Sequence, residues 1–287
     1  MGLNTNMRLF LQRRQNLVVI LVQKGLVSSQ QKARAMIMEG RVFVDGQKVV
    51  KAGSAVSPHS QIAVQEEEEF VSRGGWKLKG ALEEFGIVPH NKVVLDAGAS
   101  AGGFTDCLLK CGAQKVIAVD VGYGQLDWSL QKDPRVIVMD RTNVRYLKAE
   151  DLPFLPDLIT VDLSFISLKK VADALMEIVK PGGELLFLVK PQFEAGPHQV
   201  GKGGVVKDRQ VQREVLWDMV QFLMARGVSI YKVSYSRLKG AKGNLEFWIY
   251  GRKEPGDQPA SEDLWAMVEQ AVEGAHLFFG RKEEQEP

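Results

Sequence analysis

Two lysines and two acids stand where a solvated charge is out of place. Lys190 closes an apolar run in Leu188-Val189-Lys190-Pro191-Gln192-Phe193. Glu246 sits in Leu245-Glu246-Phe247-Trp248, inside what reads as an otherwise apolar edge strand. Asp162 follows Val161 and precedes Leu163-Ser164-Phe165, and Lys77 lies in Ser72-Arg73-Gly74-Gly75-Trp76-Lys77-Leu78. Buried charges need partners, so these four would satisfy one another if they converged on a single cleft. Such a cleft could orient a hydroxyl and handle its proton. The plainer reading of any one lysine is a structural ion pair.

A second group of residues has the chemistry of a ligand site. Val93-Val94-Leu95-Asp96-Ala97-Gly98-Ala99-Ser100-Ala101-Gly102-Gly103-Phe104 reads as a buried strand, a Gly-rich turn and the start of a helix. Glycines let backbone approach a ligand, and an open sheet offers a crevice at its carboxyl edge. The next strands end in Asp120, Asp140 and Asp162, giving four consecutive strands that end in Asp. Asp120 is placed for a ribose diol, and Asp140 with Arg141-Thr142-Asn143 for an adenine edge. Asp also caps helices, which is the alternative account of such a set. The turn departs from G-x-G-x-x-G, which seats a pyrophosphate, so a dinucleotide oxidoreductase is disfavoured. S-adenosylmethionine, with an adenosine and a charged amino acid but no phosphate, suits Asp96, Gly98, Ser100, Gly102, Gly103, Phe104, Asp120, Asp140 and Asp162 better.

Taken together, VSRGGWKL, LDAGASAGGFTDCLL, VDVGYGQLDWSL, DRTN, VDLSFISL, LVKPQFE, GKGGVVKD and GNLEFW resemble the FtsJ-like ribose 2′-O-methyltransferases, specifically the TlyA (hemolysin A) group. The resemblance runs over about 17–252. It implies a catalytic Lys-Asp-Lys-Glu tetrad, which falls on Lys77, Asp162, Lys190 and Glu246. It also implies ribosomal RNA as substrate, with cytidine as the target, presented in a ribosomal subunit or particle. Methyl transfer from a sulfonium is an in-line displacement that needs alignment, and a ribose hydroxyl must lose its proton as it attacks. Lys190 is the candidate base, which requires a pKa lowered by desolvation or by Lys77. Alternatively, Lys190 steers the hydroxyl and stabilises the developing oxyanion.

The segment from Lys24-Gly25-Leu26 through Gly40-Arg41-Val42-Phe43-Val44-Asp45-Gly46 resembles the αL RNA-binding module shared with a small-subunit ribosomal protein. It places Lys32, Arg34 and Arg41 near one basic face able to contact phosphates. Such modules usually begin with Arg-Leu-Asp, where this chain has Asn16-Leu17-Val18 after an unusual Met1–Gln15 stretch. Further basic residues, Lys202, Lys207, Arg209 and Arg213, follow the fifth strand, and the loop 237–242 adds more charge beside Glu246. Both could line an RNA groove or be solvated surface. Trp128 and Phe193 could stack on a base or fill the core.

Positioning these groups demands a particular order of elements. Helices over 17–24 and 29–39, a hairpin turning at Asp45-Gly46 and a strand at 61–65 form a first unit. The glutamates at 66–69 break the composition as a linker. Beyond 71, a helix near 76–85 precedes strands at 93–96, 115–120, 136–139, 158–162 and 184–189 alternating with helices, the pattern of a parallel sheet. Strands at 229–235 and 245–250, after a helix at 207–226, pair antiparallel at a sheet edge. The fold expected is α/β, a Rossmann-like seven-stranded methyltransferase sheet with a small N-terminal α+β RNA-binding module. Its parts are the module at 16–65, a linker at 66–70, the methyltransferase domain at 71–252 and a helical extension and tail at 253–287.

Composition is consistent with this plan. The chain has 287 residues, 45% hydrophobic and 25% charged, with a net charge of +2. Residues 1–65 hold nine basic and two acidic side chains, a net +7 that leaves −5 for the rest. A basic head on a mildly acidic body suits a polyanionic partner. Two cysteines, Cys107 and Cys111, give no disulfide framework and no zinc spacing, which fits the cytoplasm. The apolar run 17–22 is too short to span a bilayer. A non-catalytic RNA-binding protein with a vestigial fold, or a cytolysin, are the rival readings, and oligomeric state is left open.

Overall fold

The computed structural model describes residues 14–65, 69–254 and 259–283. Most of the unusual opening stretch, the glutamates at 66–68 of the expected linker and the last four residues of the tail lie outside the described residues. The chain divides into two compact units, Met1–Glu69 and Phe70–Pro287.

In the first unit β1 (Gln15–Asn16) leads into α1 (Leu17–Gln23) and α2 (Gln30–Met38). The sequence Leu-Val-Val-Ile-Leu-Val is a modest helix former because β-branched side chains lose χ1 freedom. Burial of Leu17, Val18, Ile20 and Leu21 outweighs that preference. Asn16, the departure from Arg-Leu-Asp, is the N-cap: its side chain accepts from the Val18 N–H at 2.9 Å. Ser29 caps α2 by accepting from Lys32 N–H. Then come β2 (Val42–Val44), β3 (Gln47–Val49), β4 (Ala55–Val56) and β5 (Ile62–Val64). Asp45 and Gly46 both take positive φ, 50° and 79°, as a tight two-residue hairpin turn requires. The sheet order is β3-β2-β5, and β1 pairs separately with β4, a contact the sequence did not suggest.

The second unit opens with α3 (Arg73–Phe85), capped by Ser72, followed by β6 (Val93–Ala97), α4 (Gly103–Lys110), β7 (Lys115–Val119), α5 (Trp128–Gln131), β8 (Val136–Met139) and β9 (Leu158–Val161). It continues through α6 (Ala172–Ile178), β10 (Glu184–Val189), α7 (Pro191–Glu194), α8 (Arg209–Met224), β11 (Val228–Tyr235), β12 (Phe247–Lys253) and α9 (Ser261–Glu283). The seven strands lie in the order β11-β12-β10-β9-β6-β7-β8. Five are parallel, and β12 runs antiparallel to both β10 and β11. Strands such as β6, β9 and β10 are buried along their whole length because helices cover both faces. One cluster packs α3 and α4 residues such as Leu78, Phe104 and Leu108 on one face, and the other packs Leu175, Leu216 and Val272 on the opposite face.

One expectation changes. Glu246 lies just before β12 rather than inside it, and β12 is interior, because β11 takes the edge. The expected C-terminal extension is a helix that runs to Glu283 and seals the edge strand with Leu264, Val268, Ala271, Val272 and Ala275, spaced as one helical face. Among the described residues no helix is long and apolar enough to cross a membrane.

Candidate active site

The chain reverses direction in the sheet order at β6, whose neighbours are β7 on one side and β9 on the other. A crevice forms there, at the carboxyl ends of the strands. The turn from β6 to α4 lies in it. Gly98 has φ 91° and Gly102 has φ 94°. The glycines answer to protein as well as to any ligand. A Cβ at Gly98 would meet the Asp162 carbonyl oxygen at 2.4 Å, and one at Gly102 would meet Leu130 Cδ1 at 2.4 Å. The turn is therefore moulded against its own neighbours, and a ligand inherits the shape.

Asp96 is wholly buried under this turn. Thr105 Oγ1 donates to its Oδ2 at 2.7 Å, while Oδ1 has no partner within the chain. Burial pushes its carboxyl up to about 7, against the Thr105 hydrogen bond. Asp120 joins two loops by accepting from Ser100 N–H at 2.9 Å and Gly122 N–H at 2.7 Å. Asp140 accepts from Gly124 N–H at 2.9 Å and braces the loop after β7. A cavity of about 370 Å³ lies above β6, β7 and β9, with Gly98, Ser100, Asp120, Asn143, Asp162 and Phe165 in its wall. Asp96 stands beneath the cavity, and Asp140 braces it from outside. Gly103 and Phe104 line the neighbouring cavity instead.

That second cavity, also about 370 Å³, shares Gly98, Ser100 and Asp162 with the first and adds Arg73, Lys77 and Gly240. Beside it the four charged residues form two ion pairs, each with one member, Lys77 or Asp162, in the cavity wall. Lys77 Nζ, on α3, donates to Glu246 Oε2 at 2.6 Å. Lys190 Nζ, at the end of β10, lies 2.6 Å from Asp162 Oδ1 at the end of β9, and donates to Ser164 Oγ at 2.8 Å. Parallel pairing of β9 with β10 brings Asp162 and Lys190 to the same edge, as successive parallel strand ends must be. Glu246 is only 3% exposed and Lys190 8%. Burial raises the Glu246 carboxyl above the ordinary range, and Lys77 partly offsets it.

Two contributors escaped the reading of the sequence. Ser164 lies two residues after Asp162 yet gains meaning only through Lys190. Phe165 is 92% exposed with φ 65°, a conformation that costs energy for a bulky residue. Its ring packs against Phe193 at 5.2 Å, so one of the proposed stacking residues stands beside the cavity. The other, Trp128, is exposed beneath Lys132 Nζ at 3.4 Å.

The proposed RNA contacts divide. In the first unit Lys32 and Arg34 are exposed, and Lys32 and Arg41 line a shallow cavity of about 520 Å³. Arg41 is partly committed elsewhere, donating to Gln65 O at 3.1 Å and to Glu39 Oε2 at 3.2 Å. In the second unit Lys202 and Lys207 are exposed, whereas Arg209 and Arg213 both grip Glu273 of α9, at 2.6 and 2.7 Å.

Comparisons with known proteins agree with this arrangement. Residues 70–253 match the FtsJ-like methyltransferase family, and residues 15–62 match the S4 domain. The chain is 42% identical over 262 residues to the 16S/23S rRNA (cytidine-2′-O)-methyltransferase TlyA of Mycobacterium tuberculosis, covering 91% of this chain and 98% of that one. It is 39% identical over 225 residues to Hemolysin A of Brachyspira hyodysenteriae, covering 78% and 94%. A solved structure from Streptococcus thermophilus, described only provisionally as a hemolysin, superposes with a TM-score of 0.73 at 35% identity, covering 96% and 99%. A buried acid with one unpartnered oxygen under the turn and an acid-lined cavity above it fit S-adenosylmethionine, the methyl donor of such enzymes. The chain belongs to the FtsJ-like methyltransferase family, in its TlyA/hemolysin A group, and carries an S4 domain ahead of the methyltransferase.

Proposed function

We propose that the chain methylates the ribose 2′-hydroxyl of a cytidine in ribosomal RNA, working in the cytoplasm on a ribosomal subunit or particle. The observation that carries this reading is the pair of largely buried ion pairs, Lys77–Glu246 and Lys190–Asp162, of which Asp162 lines both cavities and Lys77 one of them. A donor in one cavity and a ribose in the other would face each other across Asp162.

When bound, S-adenosylmethionine supplies a methyl group on a positively charged sulfur, which departs as a neutral thioether. Gly98, Ser100, Asp120 and Asn143 would hold the donor, and the buried Asp96 supports the turn from below. Lys190 Nζ is the group placed to take the hydroxyl proton as the oxygen gains the methyl. Asp162 and Ser164 fix that nitrogen in place. Lys77 and Glu246 hold the ribose and keep the local charge balanced. Lys32 and Arg34 would grip RNA backbone, which positions the substrate without reading sequence.

The test is methyl transfer from radiolabelled S-adenosylmethionine to unmodified ribosomal subunits, comparing the protein with Lys190→Ala. Label in alkali-resistant dinucleotides from the unaltered protein alone is the expected result. Label elsewhere, or none with donor binding intact, would overturn the substrate assigned.

A further inference from the structure

A third cavity lies in the methyltransferase unit, on the other side of the loop that leads to Glu246. It measures about 550 Å³, and Lys207, Arg209, Lys239, Lys242 and His276 line it. Among the described residues no aspartate or glutamate lines it. Glu273 faces it only through its pairing with Arg209 and Arg213.

Buried polar side chains hold this cavity open. Asn244, 2% exposed, donates to Gly204 O at 2.9 Å and accepts from Val206 N–H at 3.2 Å, tying the 204–206 segment to the loop before β12. Gln212 is fully buried and donates to Val206 O at 2.8 Å. That orientation leaves Gln212 Oε1 as acceptor for His276 Nε2 at 2.8 Å, which joins α8 to α9. Lys239 lines both this cavity and the one that holds Lys77. The third cavity thus adjoins the substrate side of the site, and one wall comes from α9, outside the residues matched by the methyltransferase family.

Resting on the methyl-transfer reading above, we propose that this cavity seats a phosphodiester of the RNA near the nucleotide being modified, so that the C-terminal helix takes part in holding the substrate. A concave, cation-lined site framed by buried amides suits a singly charged oxyanion better than a flat patch of lysines does. Lys207 and Lys242 are the direct contacts. Arg209, braced by Glu273, contributes field rather than a free guanidinium. The N-terminus of α8 opens beside the cavity, although the Asp208 cap moderates its positive end.

The experiment measures equilibrium binding of the full chain to an unmodified ribosomal RNA fragment across a salt series, for the protein and for K207M/K242M. Methionine keeps the apolar stem and removes only the charge. The expected result is a slope of log Kd against log salt reduced by about 1 for each lysine lost, with donor affinity retained. An unchanged slope and Kd would overturn the proposal. So would a shift of the His276 ring resonance by inorganic phosphate with RNA binding unaltered, which would make this a small-anion site. Failure of the methyl-transfer reading is separate: the unaltered protein would then bind the RNA but leave no label on it, while the slopes would still report on the cavity.

Discussion

A Cβ on Gly240 would stand 1.9 Å from Oε1 of Glu246. The φ of Gly240 is an ordinary −73°, so glycine is needed there for space. The buried end of the Lys77–Glu246 pair is pressed against a backbone that has no side chain to offer. Gly240→Ala should displace Glu246 from Lys77 and lower kcat by about tenfold or more, since misplacement of an aligned group is costly. Donor affinity measured by calorimetry should hold. An active Gly240→Ala would show that Glu246 is not needed where it stands.

Lys190 offers a sharper distinction. Arginine can pair with Asp162 but cannot give up a proton near neutrality. If Lys190 takes the hydroxyl proton, Lys190→Arg and Lys190→Met should both lose methyl transfer, by about 10² or more. A Lys190→Arg protein retaining most of its rate would reassign Lys190 to steering the oxygen.

Asp96 predicts a pH-dependent stability. Its carboxyl is raised by burial from 3.8 to about 7 in the folded chain. The folded state therefore binds a proton more tightly than the unfolded one does. The stability this contributes is complete below about pH 4 and is lost as pH rises through about 7. The difference is roughly 4 kcal/mol, at about 1.36 kcal/mol per pH unit. Asp96→Asn should remove this component, so urea unfolding of the two proteins at pH 5 and pH 8 should diverge as pH rises, with the wild type falling. Parallel curves would contradict the assignment.

Phe165 spends backbone strain to hold an aromatic ring in water at the cavity mouth. A ring so placed can stack on an unpaired base beside the reacting ribose. Phe165→Ala should leave thermal stability nearly unchanged and raise the RNA KM or lower kcat by about tenfold, as a stacking loss of 1–3 kcal/mol implies. Phe165→Trp should recover much of the activity. Unaltered kinetics in Phe165→Ala would leave the strain without a functional account.

In the S4 domain Lys32 and Arg41 should behave differently. Lys32→Ala removes an exposed charge and should weaken RNA binding with a salt slope smaller by about 1, at unchanged stability. Arg41→Ala also breaks bonds to Gln65 and Glu39. It should lower the melting temperature as well as RNA affinity. Equal stability of the two variants would show that those bonds contribute little.

The parallel sheet, the Gly-rich turn and the edge at which Asp162 and Lys190 both emerge can be read from the order of residues. These follow from local signals: runs of apolar residues long enough to be buried strands, and an alternation with helices that puts every parallel strand end on one side. The Asp45-Gly46 hairpin was legible for the same reason, because it is settled within a few residues. The tertiary structure alone decided which charge pairs with which. Lys77 and Glu246 are 169 residues apart, and their meeting depends on how α3 packs against the loop that enters β12. It also decided that Gly98 and Gly102 are crowded by Asp162 and Leu130, that Arg209 is drawn to Glu273, and that α9 walls a basic cavity. Such facts rest on shape and contact between distant segments, which no local pattern of residue types encodes.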